Sequence, residues 1–436
     1  MEDSSGAPGS PLLVKTKMTP MDNRSSKVPY QQGTGTLVSS MFTLANSAIG
    51  SGILAFPYAF KKTGLGLGLI VTVIFAGIMG ACLHFVTVCT HRAQEQDPRI
   101  RSYQELAGYV GGKKLSAFLE GTLIVYLLGC CCGFLIIVAD MVKPLLGDSL
   151  GSAANPRSIV IVAVGVTVVF PLCLLRRISA LRFSSMFAIV AVFYMVCAIA
   201  YEYFHMPTSD ATDHVDHDVV WFEADADILA ALPLLAFALQ CHIQAPLIFT
   251  ELRASERTVA RMDSVCAGAY ALCLTLYVPA GIFGYLTFGP NTLTDILKGY
   301  TDVSDKVADV ARVCIGIVAC CGYPLNHFPA RSALWGIWQR KTGQAGKEMP
   351  KKWMIVEAAI WVAVTIGVAL VVTDLGVVFG LIGSVAGSLV IFFIPAFLWW
   401  RLGPQDFFSH KVGTYTVLCV GTLVFVMGTL TTLKIL

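Results

Sequence analysis

A cluster of small and polar residues interrupts the first long apolar segment of the chain, in the sequence NSAIGSGILAFP, which begins at Asn46. Asn46 and Gly50 are four residues apart and share one face of a helix. Ser47 and Ser51 carry hydroxyls four residues apart, on one face of a helix. Gly50 and Gly52 would let a ligand approach the backbone without a Cβ in the way. These residue types predict a site that binds a small polar ligand.

A second interrupted segment, ALPLLAFALQCHIQAPLIFTEL, places Gln240, Cys241 and His242 between the two prolines Pro233 and Pro246. Broken backbone survives inside a membrane only where it lines a cavity or is buried in protein. The amides at a helix start attract an anion, and the carbonyls at a helix end attract a cation. Two such breaks therefore suit a zwitterion, and an amino acid presents both charges.

Close packing is the competing interpretation of the glycines and serines, because small residues let membrane helices approach one another. Asn46, Pro57 and the matching break in the second segment favour binding over packing.

Three histidines lie in apolar segments, where ionisable groups are candidates for function. Because histidine titrates near neutral pH, His242 could carry a coupled proton or could serve as a structural group. His327 is expected to form a hydrogen bond between helices, and His84 is expected to pack near a membrane surface. Other ionisable residues near segment ends are expected to be paired or interfacial rather than in a ligand path: Glu120, Asp140, Arg312 and Glu357.

The composition indicates that these residues lie on membrane-crossing helices. Of the 436 residues, 56% are hydrophobic and 14% are charged, whereas soluble domains are nearer a quarter charged. A membrane-crossing helix needs about 20 apolar residues. Eleven stretches meet that length: 36–60, 65–90, 116–142, 157–175, 182–204, 227–250, 264–288, 307–330, 353–373, 377–400 and 413–433.

The distribution of positive charge tests that count. With the N-terminus in the cytoplasm and every stretch crossing, 23 of the 31 Lys and Arg fall on the cytoplasmic side and 7 on the other. This bias predicts eleven transmembrane helices with an extracytoplasmic C-terminus. The membrane itself could be lysosomal or plasma membrane. Residues 1–35 are polar and predict a disordered cytoplasmic tail, a candidate docking segment for a cytoplasmic partner.

The position of the two breaks predicts an internal repeat. Five stretches separate the start of one irregular segment from the start of the other, as expected for two inverted five-helix repeats. The repeats would cover about 36–204 and 227–400, with one extra helix at about 413–433, all within a membrane domain of residues 36–436.

Several classes of protein are excluded or disfavoured. The chain has no GxxxxGK[ST] phosphate loop, which disfavours an ATP-driven pump. It has no HExxH motif and no carboxylate pair in the middle of an apolar stretch, which disfavours an enzyme. Its 14 cysteines lie in or beside apolar segments and suggest neither a disulfide framework nor a metal site beyond a Na⁺ site. We expect no cofactor and no nucleic-acid partner. The expected partners are a small-molecule ligand, the lipid bilayer and a candidate cytoplasmic partner of the N-terminal tail.

Five motifs, in order, resemble the amino acid/auxin permease family, and within it the sodium-coupled neutral amino acid transporters. They are NSAIGSGILAFPYAF (46–60), LPLLAFALQCHIQAPLIFTEL (232–252), FGYLTFG (283–289), YPLNHFPARSAL (323–334) and FGLIGSVAGSLVIFFIPAF (379–397). The resemblance covers most of residues 33–430. It implies an all-α integral membrane protein with eleven transmembrane helices, a LeuT-type five-plus-five inverted repeat and one extra helix.

The same resemblance implies a function. It points to secondary active transport of neutral or polar, glutamine-like amino acids by alternating access, coupled to Na⁺ or H⁺. The alternative is an amino-acid sensor that binds its substrate and signals with little flux, for which the tail would dock a partner.

The resemblance also implies roles for individual residues. Asn46 matches an Asn at the family's sodium site. The substrate carboxylate would be held at the first break, and its amino group and side chain would be flanked by the second. The implied substrate-binding residues are Ser47, Ile49, Gly50, Ser51, Gly52, Phe237, Gln240, Cys241 and His242.

One stretch departs from the family pattern. The family commonly places a Thr in the eighth helix shortly before a Tyr-Pro or Val-Pro step, where it contributes to the sodium site. In this chain residues 319–322 are Ala-Cys-Cys-Gly, and no side-chain hydroxyl occurs before Tyr323. Na⁺ prefers oxygen ligands and a thiol is a poor substitute. The backbone carbonyls of Cys321 and Gly322 remain as candidate ligands. The missing hydroxyl argues against Na⁺ coupling more than it argues against transport.

Overall fold

α-Helices account for most of the chain in a computed structural model that describes residues 33–146, 155–175, 182–205, 219–223, 228–300, 306–344, 347–404 and 408–434. All described residues belong to one unit, Gln31–Leu436. The predicted tail of residues 1–35 lies outside the described residues except for residues 33–35. Within the described ranges no β-strand forms, which confirms the all-α expectation.

The α-helices are numbered in chain order. They are α1 Leu37–Ala48, α2 Phe56–Thr63, α3 Leu65–Gln96, α4 Tyr103–Leu146, α5 Pro156–Val164, α6 Phe170–Cys173, α7 Arg182–His205, α8 Ile228–Ala238, α9 Ala245–Glu251, α10 Val259–Phe288, α11 Lys306–Thr342, α12 Lys351–Val371, α13 Leu375–Leu381, α14 Ile394–Leu402 and α15 Gly413–Thr432. Short 3₁₀ or π segments lie at Ser51–Ala55, Gly165–Val169, Gly289–Asn291, Ile296–Lys298, Ile382–Gly387, Leu389–Phe393 and Phe408–Val412.

The number of membrane-length helices differs from the predicted eleven. In the described ranges nine helical stretches are long and apolar enough to cross a membrane, and the bent pair Leu37–Ala48 and Ser51–Thr63 makes a tenth. The predicted sixth span consists of α8 and α9, which have 11 and 7 residues. Neither is long enough to cross alone, because the chain between them leaves the helical path.

The first helix begins at a cap and ends at a sharp bend. Thr36 and Ser39 form a reciprocal capping box, which satisfies amides at the start of α1. Ile49 and Gly50 then adopt extended backbone, and the axis turns by 53° before Ser51–Thr63. Because Gly and Ser have low helix propensity, breaking the helix at these residues costs little free energy. The predicted interruption of the first span is confirmed.

The second break lies between α8 and α9. The helix ends at Ala238 and resumes at Ala245. Pro246 occupies the first turn, where its missing N–H costs nothing because a residue there has no intrahelical acceptor. Short turns fill the gap, with Gln244 N–H donating to the Cys241 carbonyl at 3.2 Å.

A parallel backbone bridge ties the beginning of α1 to the end of α9. Gly35 donates its N–H to the Glu251 carbonyl (2.9 Å), and Arg253 donates to the Gly35 carbonyl (3.1 Å). A Cβ at Gly33 would lie 2.4 Å from the Glu251 oxygen, so this contact requires glycine. We call the side of the bundle on which α1 begins the N-terminal side.

The centre of the described bundle is built on α4, which packs extensively against α11. Gly112, with φ of 70°, turns the start of α4 away from the long helix that follows. A layer of large buried side chains fills the contacts between helices: Phe56, Phe60, Tyr103, Phe249, Tyr277, Tyr323, Phe379, Phe392 and Trp399.

Candidate functional site

A cavity of about 660 Å³ lies between the two breaks. Its walls come from α1 and the 3₁₀ segment that follows, from α4, from the break between α8 and α9, and from α11, with Ala188 of α7 at one edge. Two helix interruptions far apart in sequence therefore share one chamber. A cavity of this size can enclose a small molecule.

The cavity gathers most of the residues that the sequence singles out. Ten of the twelve predicted substrate-binding and ion-binding residues line it: Asn46, Ser47, Ile49, Gly50, Ser51, Gly52, Phe237, Gln240, Cys321 and Gly322. Residues from four separate helical segments are thereby brought within reach of one ligand.

The other two predicted residues, Cys241 and His242, face away from the cavity. The Cys241 thiol contacts the Tyr270 hydroxyl of α10 at 3.8 Å. A ring nitrogen of His242, Nε2, lies 3.1 Å from the Met79 carbonyl of α3, and the side chain is fully buried. The backbone turn after Gln240 directs these two side chains into the packed wall behind the site. This geometry matches the structural interpretation of His242.

The two glycines at the first break have different surroundings. A Cβ added at Gly50 would meet no atom within 4 Å, so this position opens onto free space. A Cβ added at Gly52 would lie 2.7 Å from the Ala238 Cα, at the last residue of α8. Gly52 therefore allows the two broken helices to touch, as the packing interpretation holds, whereas Gly50 exposes backbone to the cavity.

Tyr277 of α10 supports the first break from behind. Its hydroxyl donates to the Ala48 carbonyl at 2.9 Å and accepts from the Gly50 N–H at 3.3 Å. It is fully buried, and its ring packs against Phe56 at 5.2 Å. One side chain therefore satisfies a carbonyl and an amide that the interrupted helix leaves without intrahelical partners. No motif in the sequence indicates Tyr277, and the only signal is its position in the middle of an apolar segment, where a buried Tyr hydroxyl needs a partner.

Helix α4 contributes a polar contact that no motif in the sequence indicates. Tyr126 donates its hydroxyl to the Gln240 Oε1 at 3.3 Å, which holds the amide against the cavity wall. Gln240 Nε2 is buried and has no hydrogen-bond partner among the described residues. Beside it, Phe237 stacks on Phe379 with ring centroids 4.1 Å apart. This corner offers an aromatic wall and an amide group that a polar ligand could satisfy.

The candidate ion ligands come from α1 and α11. Asn46 lines the cavity, and Cys321 and Gly322 lie on its α11 wall. The Gly322 carbonyl already accepts a hydrogen bond from the Asn326 amide at 3.0 Å. The oxygen donors available along residues 319–322 are carbonyls.

The cavity opens toward the N-terminal side. Its lining reaches exposed side chains in α1, at the end of α9 and in the second half of α11, at Thr43, Glu251 and Ser332. At the opposite end Ile53 and Leu54 are completely buried. The site is thus accessible from one side of the bundle and closed on the other.

The other ionisable residues that the sequence singles out have partners, as expected for Glu120, Asp140, Arg312 and Glu357. His327 Nε2 lies 2.8 Å from Glu357 of α12, and Arg331 donates to the same carboxylate at 3.0 Å. His84 contacts Asp263 at 3.0 Å. The other pairs are Asp140 with Arg157, Arg312 with Asp309, and Glu120 with Arg340. The hydrogen bond predicted for His327 between two helices is confirmed.

Comparison with known proteins identifies relatives across nearly the whole chain. Residues 33–434 match the family described as transmembrane amino acid transporter protein. Sodium-coupled neutral amino acid transporter 7 of Danio rerio is 27% identical over 443 residues, covering 97% of this chain and 91% of the relative. The human protein of that name is 26% identical, covering 83% and 78%. Vacuolar amino acid transporter 5 of Schizosaccharomyces pombe is 26% identical, covering 88% and 87%.

Comparison of structures gives the fold. The chain is similar to MhsT, crystallised in complex with L-phenylalanine, with a TM-score of 0.50 and 14% sequence identity, covering 93% of this chain and 100% of MhsT. MhsT is a LeuT-fold transporter, which agrees with the fold expected from the motifs. The chain therefore belongs to the transmembrane amino acid transporter family, the amino acid/auxin permeases.

Proposed function

We propose that this protein is a secondary active transporter that moves neutral or polar, glutamine-like amino acids by alternating access. One observation carries the proposal: a cavity large enough for an amino acid lies where two broken helices meet, in a chain of an amino acid transporter family. Both charged ends of the substrate would bind at interrupted backbone, and its side chain would lie toward Gln240 and Phe237.

We further propose that the N-terminal side is cytoplasmic, as the positive-inside bias favours. The structure then represents the state open to the cytoplasm. The vacuolar relative favours the membrane of a lysosome-like compartment over the plasma membrane.

The coupling ion is Na⁺ or H⁺. The relatives' names favour Na⁺, with Asn46 and carbonyls of α11 as its ligands. The absence of a side-chain hydroxyl at residues 319–322 favours H⁺.

Uptake of labelled amino acids into proteoliposomes tests the proposal. The purified full chain is reconstituted, and a Na⁺ gradient and a pH gradient are imposed in separate experiments. We expect concentrative glutamine uptake driven by one of the two gradients and abolished when an ionophore collapses it. Substrate binding without flux under either gradient would instead support the sensor, and no binding of any amino acid would refute both.

A further inference from the structure

The described part of the connector between α10 and α11, residues 289–300 and called the connector below, closes the end of the bundle opposite the cavity mouth. Its 3₁₀ turn Ile296–Lys298 contacts Ser51–Ala55, the segment that follows the first break, as well as α4 and α11. Ile296 and Leu297 are 0% and 1% exposed, so the turn is wedged between these helices.

Polar contacts with α2 and α13 also fasten this connector. Lys61 of α2 donates its Nζ to the Thr292 carbonyl at 3.2 Å. Thr294 donates its hydroxyl to Asp374, at the start of α13, at 2.8 Å. The connector must move away from these partners before the site can open on this side.

Asp295 begins the turn and is enclosed by it. The side chain is 1% exposed, and Oδ1 accepts the Leu297 N–H at 3.1 Å. Oδ2 has no hydrogen-bond partner among the described residues. An ionised carboxylate with one oxygen buried and unpartnered is costly, whereas a protonated carboxyl is much less so.

Charged groups face Asp295 from each neighbouring helix. Asp140 of α4 repels its negative charge, although Arg157 and Lys298 pair with Asp140 at 3.3 and 3.6 Å. Arg312 of α11 attracts it, but this guanidinium also bonds Asp309 and the carbonyls of the connector.

The unfavourable influences on the charged form outweigh the favourable ones. Burial, followed by the charge of Asp140, raises the pKa of Asp295 to about 7, against the attraction of Lys298 and Arg312. A carboxyl exposed by an opened connector would titrate near its ordinary value of about 4.

We propose that Asp295 is a proton-binding site whose protonation holds the connector against the broken first helix, and whose ionisation favours opening on that side. If the proposed transport function holds, the proton concentration on the connector side would set how often the connector opens. The site would act on access to the cavity and lies apart from the residues that line it.

The direction of the pH effect follows from proton linkage. The closed state binds the proton more tightly than the open state, so acid favours closure. The equilibrium constant for closing the connector falls as the pH rises from about 4 to about 7. For one proton it falls by at most about tenfold per pH unit. Above that range both states are ionised and the pH dependence ends.

A labelling experiment measures opening without relying on transport. Ile296→Cys places a thiol at a buried position of the connector, and Leu293→Cys places one at a position that is 43% exposed. An impermeant thiol reagent is added from the connector side of reconstituted full-length protein, and each modified peptide is quantified by mass spectrometry. The ratio of the two labelling rates cancels the intrinsic pH dependence of the thiol reaction.

We expect this ratio to rise with pH between 5 and 7. Asp295→Asn keeps an oxygen that can accept the Leu297 N–H, and in this variant the labelling ratio should stay low and nearly constant across the pH range. Asp309→Asn removes a more exposed carboxylate beside the same Arg312 and should leave the rise intact.

A second variant keeps the proposal testable if Asp295→Asn does not fold. Lys298→Met removes a cation that favours ionised Asp295, so the rise should shift to higher pH. An unchanged rise in Asp295→Asn, an unshifted rise in Lys298→Met, or no rise in the parent would overturn the proposal. Because the readout is labelling, failure of transport would be recognised separately.

Discussion

At the first helix break, two glycines separated by one residue have opposite surroundings. Gly50 faces open cavity, whereas Gly52 lies against the backbone of Ala238. The sequence motif alone does not distinguish a glycine that serves a ligand from one that serves packing, because both roles require only the absence of a side chain. Their neighbours in the fold separate them.

The two glycines make a matched pair of variants. Gly52→Ala should lower the free energy of unfolding by about 1–3 kcal/mol, because the new methyl group overlaps α8. Gly50→Ala should preserve stability, since its backbone is extended and its Cβ meets no atom. It should raise the KM about fivefold, as expected when a methyl group costs the substrate one backbone hydrogen bond. Thermal unfolding in detergent and uptake kinetics measure both effects, and the reverse pattern would refute the assignment.

Tyr277 permits a second test at this scale. Tyr277→Phe removes one hydroxyl and leaves the Ala48 carbonyl and the Gly50 amide without their partner, at a cost of about 1–3 kcal/mol. We expect a raised KM as well, because the break loses its lateral support. Tyr270→Phe, in the same helix but in contact with Cys241, should leave KM unchanged. Equal KM changes in the two variants would exclude a positioning role for Tyr277.

At the scale of elements, both helix breaks were predictable because Gly, Ser and Pro weaken helices wherever they occur. The part of the cavity wall that α4 forms was not predictable, because the sequence around Tyr126 is apolar and is typical of packed core. The orientations of Cys241 and His242 were also beyond prediction, because a one-residue change in a turn redirects a side chain. Composition thus locates an interruption, and only the fold shows which side chains face the cavity.

A buried ionic cluster joins three helical elements on the side of α11 away from the cavity. Glu357 accepts from His327 and Arg331, and Arg331 also donates to the Cys173 carbonyl of α6. All three ionisable side chains are at least nine-tenths buried. Such clusters fix the relative positions of helices, because breaking one leaves an uncompensated charge in an apolar setting.

Removing the shared carboxylate tests this structural role. Glu357→Gln should destabilise the protein by about 3–5 kcal/mol, since Arg331 keeps its charge without a counter-ion. Glu120→Gln breaks a pair whose arginine is 57% exposed and should cost less than about 1 kcal/mol. Thermal unfolding measures both. A stable Glu357→Gln protein with altered ion coupling would instead place the cluster in the transport mechanism.

At the scale of the whole molecule, the bundle exposes its site on one side only. The mouth lies on the N-terminal side, while buried aliphatic residues and the connector close the other. The sequence charges predict which side faces the cytoplasm, but they contain no information on which gate is open. That depends on small differences in packing between two arrangements of the same helices.

Two native cysteines report this asymmetry. Cys321 lines the cavity, whereas Cys131 is completely buried behind it. A small impermeant thiol reagent should label Cys321 from the cytoplasmic side in the absence of substrate, and should leave Cys131 unmodified. Peptide mass spectrometry on inside-out and right-side-out vesicles measures the difference, with Cys321→Ser as the control. Labelling of Cys321 only from the opposite side would reverse the assigned orientation or the assigned state.

The short parallel bridge between Gly35 and Leu252 has a mechanical consequence. It joins the beginning of α1 to the end of α9, and these two helical pieces flank the cavity mouth. Two backbone hydrogen bonds make this joint stiff along the strand direction, while the breaks at the other ends of both helices provide hinges. The two helical pieces are therefore mechanically coupled. We expect a displacement at residue 33 to move both walls of the cavity mouth together.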